Sequence, residues 1–558
     1  MPVPTSVKDI DLSPPPGRTY FSTDREWREE FTYFLMVDRF HDDTDRRPVH
    51  QAGRSAGVRT PDDFYGGKLR GITRNLDYIA GLGCTALWLS PVLENNVGAY
   101  HGYNISSYLD VDPRFGTKQD LVDLVDAAHR RDPPMRVILD VVINHSGDNW
   151  AYHPGEGIYA GGRRYEMAGM RRTDRPVPIE LRDPRFYHRM GAISSPGGFD
   201  TPPKCLQGDI VTLKDYWNDD DADGSELVNI LIQVHSYWIR EADVDGFRVD
   251  AVKHMGALAC SRFASNIREY AYLLGKRGFF LFGEVASASD ELLDRYIGPN
   301  TSVQDPGGTV FFGLDSALDF RLAFSLRGVL KGFDDPRALF DRLEAQRQRA
   351  LNRGELGRYL VTFADNHDSF WQPGGRIANG APDAQVVGIV GYLLCALGMP
   401  VLYYGTEQGF SGSGGDVQMR EAMFDRDRPG VNLLNPHCAI YRGIAEIAAV
   451  ARASEPLRFG RMYFRQIADK SLQFGFPFGT EYTLAFSRIL YPQEVLVAYN
   501  VSGAARSDRV VVDASLHRPG DRMRFLSGAA GDVGVERAPD GTVYVRLDLA
   551  PHQFVVLQ

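Results

Sequence analysis

Eight short, β-branched apolar runs recur along the chain with helical stretches between them, and this rhythm restricts the possible folds more than any other feature. The runs are Phe31–Val37, Ala86–Ser90, Arg136–Val142, Gly246–Asp250, Phe279–Glu284, Val310–Leu314, Tyr359–Ala364 and Val401–Tyr404. Near-continuous apolar strands belong in a parallel sheet whose faces are covered by helices. The intervening segments supply those helices. Leu121, Leu124, Val125 and Ala128 fall on one face at i, i+3, i+4 and i+7, as do Leu227, Ile230, Leu231 and Val234, extended by Trp238. Eight strands alternating with helices predict an α/β fold closed into a (β/α)8 TIM barrel rather than an open sheet.

Two stretches break the rhythm. From Ser146 to about Lys214 the chain is rich in Gly, Pro, Arg and aromatics without helical period, too long for a bare loop, and reads as an inserted subdomain after the third strand. From about Ser454 onward, short alternating segments such as Tyr482–Phe486, Val495–Tyr499 and Tyr544–Leu547 are divided by turn residues such as Asp540-Gly541, the pattern of an antiparallel β-sandwich. The expected organisation is barrel with N-terminal extension over 1–145, insert over 146–215, barrel again over 216–454, and C-terminal sandwich over 455–558.

A net charge of −10 over 558 residues argues against nucleic acid or an anionic membrane surface as the main partner. No basic start leads into an apolar run, so neither a secretory signal nor a membrane span is expected. The five cysteines, Cys84, Cys205, Cys260, Cys395 and Cys438, are scattered and make no metal-type pair. They read as reduced thiols of a cytoplasmic protein.

Polar residues gather where the predicted strands end, the face on which a barrel carries its chemistry. Asp140-Val141-Val142-Ile143-Asn144-His145 ends the third strand and Gly246-Phe247-Arg248-Val249-Asp250-Ala251-Val252-Lys253-His254 the fourth. Phe282-Gly283-Glu284-Val285 ends the fifth, and Phe363-Ala364-Asp365-Asn366-His367-Asp368 follows the seventh. These blocks, in this order, resemble those of the α-amylase family, and the likeness runs from about Phe31 to about Leu457. The resemblance implies a retaining enzyme acting on α-glucosidic bonds, with small α-glucan oligosaccharides as its partners.

The chemistry such an enzyme needs can be met by these residues. Retention requires a nucleophilic carboxylate and a carboxylic acid about 5–5.5 Å apart. Asp250 and Glu284 close neighbouring strands, which lie about 4.8 Å apart. Arg248, two residues before Asp250, points to the same side and is expected to keep Asp250 ionised, while Glu284 should be held protonated by Asp250 and by burial. By resemblance Asp368 is a third carboxylate that grips sugar hydroxyls.

The same likeness makes His145, His367, His101 and Tyr103 sugar-binding residues, with Tyr103 flat against a glucose ring, and sets Lys253 and His254 on the leaving-group side. It further implies a calcium ion held by Asn144 and Asp215, although Leu213-Lys214-Asp215-Tyr216 departs from the family's pattern by carrying Lys where Pro is common. The alternative is that Asn144 and Asp215 simply hydrogen-bond across the junction. Glu407 and Arg420-Glu421 read as scaffold around the pocket floor. Hydrolysis of α-1,4-linked malto-oligosaccharides and transglucosylation use the same carboxylates, and both stay open. A non-catalytic barrel that only binds carbohydrate is a third reading, disfavoured by the intact carboxylates. Short soluble oligosaccharides are expected to be better substrates than granular starch.

Overall fold

The computed structural model describes residues 3–558 except 46, 50, 298–302, 305–307, 309, 352–353, 370–374 and 429–430. Eight parallel strands form the central sheet: β1 (Thr32–Leu35), β2 (Ala86–Leu89), β3 (Arg136–Val141), β4 (Gly246–Val249), β5 (Phe280–Gly283), β6 (Ser316–Ala317), β7 (Val361–Phe363) and β8 (Met399–Tyr403). Their order is β6-β5-β4-β3-β2-β1-β8-β7, and a parallel bridge between Leu318 and Val361 closes the ring. The predicted barrel is therefore the observed one.

The strands bury both faces because helices wrap the outside. Helix α1 (Lys118–His129) buries Leu121, Leu124, Val125 and Ala128, and α2 (Ala222–Ala242) buries Leu227, Ile230, Leu231, Val234 and Trp238. These are the faces that the i, i+3, i+4 spacing marks. Thr117 starts α1 with a capping box to Asp120, and Asp221 caps α2 through the Gly224 N–H. Inside the barrel Phe34 stacks on Trp88 at 3.8 Å, Trp88 meets the edge of Phe282 at 5.3 Å, and Phe34 lies 5.4 Å from Tyr403. This aromatic layer is the floor under the strand ends.

The sixth strand is not where the apolar run predicts it. Val310–Phe311 pairs antiparallel with Val303–Gln304, outside the barrel, and the barrel position is taken by Ser316–Ala317. Two residues cannot display a period. Asp315 fixes them in register, its N–H donating to Leu281 O and its carboxylate accepting from Leu281 N at 3.0 Å.

Between β3 and β4 the chain forms a hairpin, Trp150–Tyr152 with Met167–Met170, followed by 3-10 turns and the short helix Lys204–Gln207. It returns to the barrel where Lys214–Asp215 pairs antiparallel with His145–Ser146. Trp150, Phe186, Tyr187 and Tyr216 are buried there. The last segment is an antiparallel sheet running from Arg461–Phe464 to Phe554–Leu557, curled so that its inner faces share a core of Leu496, Val510, Val545, Leu547 and Val555. Among the described residues no helix is long and apolar enough to cross a membrane.

Candidate active site

The strand ends of β3, β4, β5 and β7 converge on one cleft of about 690 Å3. Its lining includes Asp250, Glu284, Asp368, His101, Tyr103, His145, Lys253, His254 and Arg420. Parallel pairing sets the key geometry. Arg248 lies opposite Phe282 and Val249 opposite Gly283, so Asp250 and Glu284 leave adjacent strands side by side. On the other flank Arg248 lies opposite Asp140.

Arg248 is fully buried and ties three carboxylates together. Its Nη1 lies 2.8 Å from Asp140 Oδ1 and 2.6 Å from Asp250 Oδ1, and its Nη2 lies 2.8 Å from Glu284 Oε2. The Ala251 N–H donates to the same Glu284 oxygen at 3.1 Å. Asp140 also accepts from Tyr103 Oη at 2.8 Å and Trp88 Nε1 at 3.2 Å. It is thereby the anchor on which Arg248 and Tyr103 are both mounted, and burial pushes it up to about 6 against the pull of Arg248.

The charge balance differs from the sequence expectation because Arg248 reaches both carboxylates, not Asp250 alone. Burial raises Asp250 well above the usual carboxylate range; Arg248 opposes this and Glu284 reinforces it. Glu284 feels the same burial, but Arg248, the Ala251 N–H and a hydrogen bond from Asp250 outweigh it and hold Glu284 below its ordinary value. The two carboxyls therefore titrate as a pair rather than as separate groups.

Across the cleft Asp368 pairs with Arg420 at 2.8 Å, and burial pushes its carboxyl up to about 7 despite that cation. Arg420 also donates to His367 O at 2.9 Å and to Tyr100 Oη at 3.3 Å. It is a cleft residue, where the sequence reading has scaffold. Glu407 and Glu421 are buried off the cleft: Glu407 accepts from Tyr33 and Tyr78 at 2.8 and 2.7 Å, and Glu421 pairs with Arg376 at 3.3 Å.

Three histidines, His145 and His367 buried and His101 half-buried, surround the carboxylates in neutral form. Burial lowers His145 to about 4 and His101 to about 3, and holds His367 far below its ordinary value. The Tyr103 N–H donates to His101 Nδ1 at 3.1 Å, leaving Nε2–H of His101 to donate elsewhere. His145 Nε2 lies 3.9 Å from Asp250 Oδ2. The Tyr103 ring runs near-parallel to His367 at 5.3 Å. Lys253 donates to Asp200 and to Ala286 O, each at 3.0 Å, and His254 Nδ1 lies 2.9 Å from Cys205 O. Phe199 meets His254 edge-on at 6.0 Å and also lines the cleft.

Asn144 and Asp215 meet at the junction of insert and barrel, with Asn144 Nδ2 3.2 Å from Asp215 Oδ1. Asn144 Oδ1 is buried without a hydrogen-bond partner, and Asp215 Oδ2 takes His188 Nδ1 at 2.6 Å. Lys214 turns away to Asp148 and Asp209, at 3.3 and 3.5 Å. Turning the Asn144 amide over would bring its oxygen beside Asp215.

The insert supplies a further wall, Ile210 to Leu213. Val211 in this turn has φ +59° and is 69% exposed. A β-branched residue in the left-handed region costs about 1–2 kcal/mol.

Similarity to known proteins agrees with this arrangement. The profile of the alpha amylase catalytic domain matches residues 34–165 and 206–432, and the gap falls within the insert. An alpha-amylase of Streptomyces lividans is 29% identical over 506 residues, spanning 77% of this chain and 51% of that protein. A cyclomaltodextrin glucanotransferase of Klebsiella oxytoca is 27% identical over 462 residues, spanning 75% and 65%. The chain thus spans half to two thirds of the length of these curated relatives. The crystal structure of an alpha-amylase from Geobacillus thermoleovorans, complexed with acarbose, superposes with a TM-score of 0.70 at 25% identity, covering 96% of this chain and 99% of that one. With a matching profile over more than half its length, an eight-stranded barrel and three carboxylates at its strand ends, the chain belongs to the alpha-amylase family, an enzyme of the glycoside hydrolase or transglucosylase type.

Proposed function

We propose that the protein is a retaining glycosidase that cleaves α-1,4-glucosidic bonds of malto-oligosaccharides by double displacement. The observation that carries this reading is the Asp250–Arg248–Glu284 arrangement on two adjacent strands. Carboxyls that leave adjacent paired strands side by side and share Arg248 suit the short separation of retaining enzymes rather than the wider gap in which an inverting enzyme seats a water.

In the first step an Asp250 oxygen bonds to the anomeric carbon while the bond to the leaving oxygen breaks. Glu284 gives that oxygen its proton, so the leaving sugar departs with a free hydroxyl. The proton must stand on Glu284 at this moment, with Asp250 ionised beside Arg248. In the second step Glu284 takes a proton from water, the hydroxide bonds to the anomeric carbon, and the Asp250 ester breaks. Asp368 and the neutral rings of His101, His145 and His367 hold the sugar hydroxyls, since a neutral imidazole can both donate and accept. Lys253, His254 and Phe199 face the leaving sugar. Acarbose on the Geobacillus thermoleovorans relative supports a ligand of this class.

Asn144 and Asp215 fit a hard, oxygen-seeking cation once the Asn144 amide is turned over, because its oxygen is buried without a hydrogen-bond partner and the Asp215 carboxylate is buried against the same amide. These two would hold calcium, which when bound pins the insert to the end of β3 and so to His145.

The test is digestion of maltoheptaose followed by proton NMR. Release of α-anomers first supports the reading, and β-anomers first would refute it. Products longer than the substrate would assign the chain to transglucosylation instead.

A further inference from the structure

Backbone strain gathers at the cleft. Among the described residues seven non-glycine positions have positive φ, and two of them, Ala251 and Val211, line it. Ala251 follows the Asp250 carboxylate and carries little side chain to strain. Val211 has no such excuse, being the β-branched residue of the set. It is the second residue of a tight turn in which the Leu213 N–H donates to Ile210 O at 3.0 Å. Glycine or asparagine would occupy that position without strain.

The turn is anchored at its base by Asp209, the residue before it, which also binds the main chain just after it. The Asp209 main chain bonds Gly191 O and the Ile193 N–H, each at 3.0 Å. Its carboxylate accepts from the Asp215 N–H at 3.1 Å and from Tyr152 Oη at 2.9 Å. A strained, anchored side chain with most of its surface open contributes little to packing its own fold. Strain of this kind persists where the exposed group has a task.

We infer that Val211 is a substrate contact: its isopropyl group is a fixed ledge against the apolar face of a glucose unit lying outside the carboxylate pocket. The inference rests on the proposed α-glucan reading and adds where a longer chain gains its binding energy. A pyranose ring presents a C–H face that buries well against a branched alkyl group, and a ledge already held in place loses little entropy on contact.

The experiment compares Val211→Gly and Val211→Asn with the native protein on two substrates, maltoheptaose and α-D-glucosyl fluoride, and measures Tm. Glucosyl fluoride has a single sugar and reaches only the carboxylate pocket. A contact to a remote sugar predicts that kcat/KM for maltoheptaose, divided by that for glucosyl fluoride, falls about five- to tenfold. Both variants relieve the strain, so Tm should hold or rise. A ratio within twofold of native overturns the inference, as does a lowered Tm with equal losses on both substrates, the mark of a turn that only supports the fold. Failure of the underlying reading looks different: the native protein would consume glucosyl fluoride and leave maltoheptaose intact, which removes the glucan ligand altogether.

Discussion

Asp368 and Asp416 share one cation: Arg420 Nη2 stands 2.8 Å from the first and 3.5 Å from the second. Arg420 is almost wholly buried, and it is the first of two cations, with Arg248, that oppose the effect of burial on Asp368. Replacing it with methionine removes the first of these and raises the Asp368 pKa further. The acid limb of kcat/KM should then move to higher pH, with activity at pH 6 falling about tenfold or more. An unshifted pH profile would mean that Asp368 works equally well protonated.

The two carboxyls beside Arg248 should separate by chemistry. Asp250→Asn and Glu284→Gln each lower kcat on maltoheptaose by at least about 10³, with the circular dichroism spectrum kept. On glucosyl fluoride the two part company, because fluoride leaves without a proton. Glu284→Gln should retain much of the first-step rate there, and Asp250→Asn should not. Equal losses on the fluoride would exchange or abolish the assigned roles.

A histidine far from the cleft governs part of the acid stability. His235 is fully buried among Tyr108, Phe247 and Phe263, and burial lowers it to about 4. The native state keeps it neutral while the unfolded chain protonates it near 6.5. The unfolded state therefore binds the extra proton between about pH 6.5 and 4, and stability falls as pH falls through that window. Its contribution reaches about 3 kcal/mol at pH 4. In His235→Phe, urea titrations should show the loss of stability from pH 6.5 to 4 reduced by that order. An identical slope would place the acid sensitivity elsewhere.

Calcium at Asn144 and Asp215 is tested without any assay of activity. An ion bound only to the native state stabilises it by mass action, so excess chelator should lower Tm and added calcium should restore it. Asn144→Ala should abolish the response. No metal on elemental analysis, together with an unmoved Tm, would leave the pair as a hydrogen bond across the junction.

What the sequence discloses follows from how each feature is encoded. Strands β1 to β5, β7 and β8 are legible because a strand buried on both faces must be written as an apolar run. Strand β6 is not, since Ser316-Ala317 needs only a place in the ring, while the better-looking run at Val310 pairs elsewhere. The carboxylates are legible because each sits at the end of a readable strand. Asp140 shares its block with Asn144 and His145, yet its role as the anchor of Arg248 and Tyr103 appears only when β3 and β4 are paired in register. Arg420 lies 52 positions after Asp368, a separation no local pattern can bridge. Val211 was hidden for another reason: its distinction is a backbone angle, and residue identity alone does not announce one.

The barrel also has a seam. Six of its eight strand junctions hold through at least three paired positions, but β6 joins β5 through two pairs and meets β7 across the single Leu318–Val361 bridge. A ring opens where its rungs are fewest. Native-state hydrogen exchange should therefore find the amides around Ser316–Leu318 releasing their protons through local excursions that leave β1 to β4 protected. Those excursions would loosen the flank of Glu284 while the Asp250 side stays rigid, so that one half of the proposed catalytic pair is carried on the least cooperative part of the wall.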